Sequence, residues 1–169
     1  MKFKACALSG LVVFLFLSAG TDKTSLTEGY RLGDKAPNIK PSESDETINF
    51  SHSTCYSLVN FWAAYDADSR VSNMKLSNKV SELDSTLINF YSVSMDEYQS
   101  VFEETLKTDK LDEKNHFLDK NGKESSVYKS YGLKNGLRSF LIDENGVIVA
   151  INITPEELSE KVNGTLSLN

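Results

Sequence analysis

Cysteine is almost missing from this chain of 169 residues, which holds two, Cys6 and Cys55. A single intramolecular disulfide would need both. Histidine is as scarce, and His52 and His116 stand alone in polar segments. With so few Cys and His, no metal site of the usual Cys/His ligand count can be assembled, and no Ser/His/Asp grouping has support from spacing. Basic residues are outnumbered, 18 Lys and Arg against 24 Asp and Glu, for a net charge of −6. That balance excludes the clustered positive charge that nucleic acid or anionic lipid requires of a main partner. Long apolar runs are missing too, apart from one at the N-terminus.

That run extends from Ala5 to Leu17, after Lys2 and Lys4 and before Ser18-Ala19-Gly20. A basic start, an apolar centre and small residues at the end form the layout of a secretory signal peptide, with cleavage expected after Gly20. The run is shorter than the roughly 20 residues of a membrane-spanning helix. Leu17-Ser18-Ala19 resembles the start of a bacterial lipoprotein box, but Gly20 stands where the lipid-bearing cysteine belongs, so a membrane tether is not supported. The expected location is the periplasm or outer cell envelope, with membrane association as the alternative. Cleavage removes two Lys and none of the 24 acids, leaving a net charge of −8. It also removes Cys6, so Cys55 would be the one thiol left. An odd cysteine in an exported protein has two readings, a bond between chains or a buried inert thiol.

The remaining length suits one domain. Residues 21–33 are polar and without periodicity, which predicts a flexible leader before a domain over 34–169. Asn38–Lys40 and Thr47–Phe50 are candidate short strands forming an N-terminal extension. Tyr56–Ala63 is apolar, aromatic and β-branched, which predicts a buried central strand. Helical spacing follows at Ala67, Val71, Met74, Val80 and Leu83, with Asp66 at the N-cap position. Thr86–Val93 predicts a second strand, and Tyr98, Val101, Phe102 and Leu106 an amphipathic helix. Thr108–Ser125 reads as loop, followed by a short helix near Val127–Tyr131. Two apolar runs flanking Asp143-Glu144-Asn145-Gly146 predict a hairpin. Thr154-Pro155-Glu156-Glu157 carries the capping pattern of a last helix. The resulting order predicts an α/β fold, a mixed sheet flanked by helices.

Three stretches add a family to this topology: Leu32-Gly33-Asp34-Lys35-Ala36-Pro37, Leu58-Val59-Asn60-Phe61-Trp62-Ala63-Ala64, and Phe140-Leu141-Ile142-Asp143-Glu144-Asn145-Gly146. Each resembles its counterpart in the ResA/TlpA-like thiol-disulfide oxidoreductases of thioredoxin fold, a branch related to the AhpC/TSA peroxiredoxins. The resemblance spans residues 32–163. It implies a Cys-x-x-Cys motif after the central strand, but Asp66-Ala67-Asp68-Ser69 fills those places. It also implies a cis proline ahead of the hairpin strand, where this chain has Leu137.

Asp66 therefore stands for the nucleophile and Ser69 for the resolving thiol, and neither can form a mixed disulfide. Asp66 has two readings, an anion that imitates a thiolate for a partner, or a plain helix cap. A cis bond before a residue other than proline costs about 2.5–4 kcal/mol, so Gly136-Leu137 is expected to be trans. Gly136 then either permits an unusual backbone angle or simply belongs to a turn with Asn135. Trp62 reads as core or as part of a binding surface. The expected binding residues are Trp62, Tyr65, Asp66, Gly136, Leu137 and Arg138. Asp66 and Asp68, even with Asp143 or Glu144, read as capping acids and not as metal ligands, and no cofactor is expected. The function this implies is a redox-inactive binding or accessory module for an envelope protein or peptide. The alternative is an oxidoreductase using Cys55 or a partner's thiol.

Overall fold

The computed structural model describes residues 26–51 and 53–164. The signal segment 1–20, with Cys6 and Gly20, lies outside the described residues, as does His52. No helix among the described residues is long and apolar enough to cross a membrane.

Five strands form one sheet: β1 (Tyr56–Trp62), β2 (Ile88–Ser94), β3 (His116–Leu118), β4 (Ser139–Ile142) and β5 (Ile148–Ile151), in the spatial order β3-β2-β1-β4-β5. β1 and β2 run parallel, as do β2 and β3, while β4 is antiparallel to both β1 and β5. Among the described residues four helices pack around it, α1 (Ala67–Ser81), α2 (Gln99–Asp109), α3 (Ser126–Ser130) and α4 (Pro155–Gly164). This is the mixed, helix-flanked sheet of a thioredoxin-like fold.

Side chains alternate across a strand, so β1 serves two layers. Val59 and Phe61 join Phe140, Ile142, Tyr131 and Leu133 on one face. Leu58 meets Leu76 of α1 and Leu158 and Val162 of α4 on the other. Each such side chain taken fully from water contributes about 1.5–3 kcal/mol, which makes β1 the axis of the fold.

Several elements differ from their sequence expectation. Residues 27–33 are not a free leader: Gly29 N donates to Lys35 O, Lys35 N donates to Thr27 O, and Gly33 N donates to Ile148 O. The folded unit thus takes in residues ahead of 34. The expected strands at 38–40 and 47–50 reduce to one bridge, Ile39 with Ile48. The expected loop 108–125 contains β3 and a 3-10 turn at Gly122–Glu124. Tyr98 is the N-cap residue of α2 and is 68% exposed, outside the apolar face that the spacing predicts.

α1 differs most. It buries Ser69, Asn73 and Leu76, whereas Val71 is exposed. The buried polar residues are satisfied internally: Asn73 Oδ1 accepts from Asn60 Nδ2 at 3.0 Å and from Ser92 Oγ at 2.7 Å. At the other end of the chain, Thr154 N donates to Glu157 Oε2 and Glu157 N to Thr154 Oγ1, the reciprocal cap expected for α4.

Candidate functional site

β1 ends at Trp62, and the chain turns through Ala63-Ala64-Tyr65 before α1 begins. Asp66 has extended dihedrals, φ −108° and ψ 99°, which leave its carboxylate facing the first turn of the helix. Its Oδ1 accepts from Ser69 N at 2.9 Å, and Ser69 Oγ donates to Asp66 O at 3.1 Å. Ala63 N in turn donates to Ser69 Oγ at 3.4 Å. These two residues close the helix N-terminus on itself, as an N-cap does. Asp68, one turn position on, is exposed and accepts no hydrogen bond among the described residues.

The turn is anchored from below by a residue the sequence reading did not single out. Asp96 is buried just beyond β2, and its two oxygens accept from Ala64 N at 3.1 and 3.0 Å. Ser94 Oγ donates to the same carboxylate at 2.7 Å. The signal was thin, one acid directly after an apolar strand. α1 is also tied to α2, where Arg70 Nε and Nη2 reach the two oxygens of Asp109, a side chain only 6% exposed, at 2.8 and 2.5 Å. That bidentate bond holds the Arg70 guanidinium charged beyond its usual range.

Opposite α1 runs the loop ahead of β4. Gly136 adopts φ 116°, ψ 148°, and a Cβ there would meet nothing within 4 Å, so backbone conformation rather than space is what favours glycine. No cis peptide bond occurs among the described residues, and Gly136-Leu137 is trans. Phe61 N donates to Arg138 O at 3.1 Å, which pins the loop to β1. Leu137 is half-buried against the core.

Between loop and helix lies a cavity of about 340 Å³. Asp66, Asp68, Ser69 and Ser72 form one wall, Gly136, Leu137 and Arg138 the other, with Asn60, Phe61, Asn152 and Ile153 completing it. A larger depression of about 580 Å³ between β5 and α4 adjoins it and shares Ile153 with its lining.

The structure therefore brings together Asp66, Ser69, Gly136, Leu137 and Arg138. It does not bring Trp62 to that surface: the indole is fully buried against Phe102, Leu106 and Leu118, a core residue and not a contact. Tyr65 is 64% exposed but outside the cavity lining. Partial burial, with Asp96, Tyr128 and Asp66 nearby, raises its phenol pKa. Asp143 is engaged elsewhere, accepting from Asn145 N and Val147 N in the hairpin turn. Among the described residues no three His, Cys, Asp or Glu side chains converge as a metal site.

Cys55 precedes β1 at the end opposite Asp66, so the seven residues of that strand separate them. At about 3.3 Å per residue the separation is roughly 23 Å. The thiol is buried, with Asn89 Nδ2 at 3.3 Å from Sγ.

No protein-family model matches this sequence, and no curated protein does. Among solved structures, a thioredoxin-like protein from Parabacteroides distasonis is 46% identical, with a TM-score of 0.76 over 82% of this chain and 99% of that one. The chain belongs to the thioredoxin-like family. The thioredoxin domain of a thiol-disulfide oxidoreductase from Bacteroides vulgatus is 22% identical, with a TM-score of 0.66 over 80% of this chain and 97% of that one. A thiol:disulfide interchange protein from a Bacteroides species is 24% identical, with a TM-score of 0.66 over 81% and 91%. These two share the fold. In this thioredoxin-like chain the two walls of the cavity are therefore the β1-α1 turn and the pre-β4 loop of a common scaffold, dressed here with Asp66, Ser69 and Leu137.

Proposed function

We propose that this thioredoxin-like protein is an exported, non-catalytic binding module of the cell envelope, which receives a protein segment in the groove between α1 and the Gly136-Leu137 loop. The observation that carries the reading is the hydrogen bonding of Asp66 and Ser69. Both residues at the places of the redox thiols are engaged in capping α1, with Asp66 Oδ1 on Ser69 N and Ser69 Oγ on Asp66 O. A carboxylate and a hydroxyl can be stabilised at a helix N-terminus, but neither can attack or release a disulfide. The buried position of Cys55, a strand length away, supports the same reading, because disulfide exchange needs an accessible thiolate. Export is inferred from the Lys2 to Gly20 layout.

The test is reduction of insulin disulfides by the full chain with dithiothreitol as electron source, beside a Cys55→Ser variant. The expected rate equals the dithiothreitol background for both proteins. Turnover by the wild type that disappears in Cys55→Ser would overturn the non-catalytic reading and make this an oxidoreductase acting through one thiol.

A further inference from the structure

β5 is an edge strand, and only the first part of its outer side is paired. Gly33 N donates to Ile148 O, Ile148 N to Asp34 O and Ala36 N to Gly146 O, so residues 33–36 cover that end. Farther along, Asn152 N donates to Ser139 O, back toward β4. Neighbouring residues of a strand aim their backbone groups to opposite sides, so the N–H and C=O of Ile151 face outward. Ile151 makes no backbone bond on that side among the described residues. An open sheet edge is a template for a further strand.

The side chains beside that edge are incompletely covered as well. Leu32, Val149, Ile151 and Ile153 line the depression of about 580 Å³, opposite Glu157 and Lys161 of α4. Phe140, Leu141 and Ile142 of the neighbouring β4 are fully buried, whereas Val149 and Ile151 are half-buried and Leu32 is 64% exposed. With an acid and a base together on the α4 side, the depression favours apolar surface and neither sign of charge.

The sequence after α4 matches this space. The helix ends at Gly164, one turn beyond Lys161, and the chain continues as Thr165-Leu166-Ser167-Leu168, outside the described residues. These residues alternate polar and apolar, carry no charge, and place both leucines on one face of an extended segment. At about 3.3 Å per residue they reach roughly 13 Å, the span of the four residues of β5.

We infer that residues 165–168 turn back from α4 and lie along the open part of the β5 edge, with a backbone carbonyl accepting from Ile151 N and with Leu166 and Leu168 seated on Leu32, Val149 and Ile153. The segment completes the sheet from within the chain and shields its edge from pairing with a second copy. A second copy is the competing occupant, and its cover of the edge would depend on protein concentration.

The test is amide hydrogen exchange by NMR on the full chain and on a Leu166→Asp, Leu168→Asp double variant, read at Ile151 with Leu141 as the reference for the fold. The Ile151 amide is expected to exchange about a hundredfold more slowly in the wild type than in the double variant, at every protein concentration, while Leu141 keeps one rate in both. Nuclear Overhauser contacts between the methyls of Leu166 or Leu168 and those of Val149 are expected in the wild type, a reading that needs no variant to fold. Their absence overturns the assignment. Ile151 exchange that is alike in the two folded proteins overturns it too, and protection that grows with concentration gives the edge to a second copy instead.

Discussion

His116 illustrates how a single side chain can make stability depend on pH. Its ring packs edge-on against Phe90, its Nδ1 lies 3.2 Å from Lys114 O, and its Nε2 is buried without a partner among the described residues. Burial lowers its pKa below the usual 6.5, against weaker raising effects from the Lys114 and Asp112 backbone and the Asp112 charge. The unfolded chain therefore takes up this proton at higher pH than the folded one. Stability from this residue is complete above about pH 6.5 and falls as the pH drops through that value toward the lower folded pKa. Urea midpoints measured from pH 7.5 to 5 should decline, and His116→Phe should flatten the decline. An unchanged slope in the variant would assign it to other groups. In the sequence this histidine stands alone in a polar segment, because the strand that holds it has three residues, too few to register as a pattern.

The elements differ in how far local sequence determines them. The hairpin and the α4 cap were legible because Asp143–Gly146 and Thr154–Glu157 make their decisive bonds within four residues. The start of α1 was legible for the same reason, through Asp66 and Ser69. Its buried face was not, since an apolar periodicity cannot reveal a helix that buries Ser69 and Asn73 against partners on β1 and β2. β3 was hidden because its pairing with β2 joins distant segments. The link between α1 and α2 is likewise non-local, resting on Arg70 and Asp109, 39 residues apart. Arg70→Met should cost about 2 kcal/mol in urea unfolding, because it leaves the buried Asp109 carboxylate without its cation. Adding Asp109→Leu should recover at least half of that loss. A double variant as unstable as the sum of the two single ones would show that the pair is not coupled.

At the level of the whole molecule, the scaffold and its chemistry part company. The order of strands and helices, the axis formed by β1 and the groove between the β1-α1 turn and the pre-β4 loop are those of the thioredoxin-like family, to which the 46% identical Parabacteroides distasonis protein also belongs. The groove walls were legible as Asp66, Ser69, Gly136, Leu137 and Arg138 because they sit in recognisable stretches of sequence. Asn60 and Asp96 were not, since each acts through partners that only the folded sheet supplies. We propose that Asp66 and Ser69 occupy the thiol positions of a scaffold otherwise able to hold a redox pair. The most direct measurement is the oxidation state of the Asp66→Cys, Ser69→Cys variant in a glutathione buffer, read by thiol labelling of the folded protein. The two new cysteines are expected to form a disulfide while Cys55 stays buried and unlabelled. Two new thiols that remain free and reactive in the folded protein under oxidising buffer would contradict that placement.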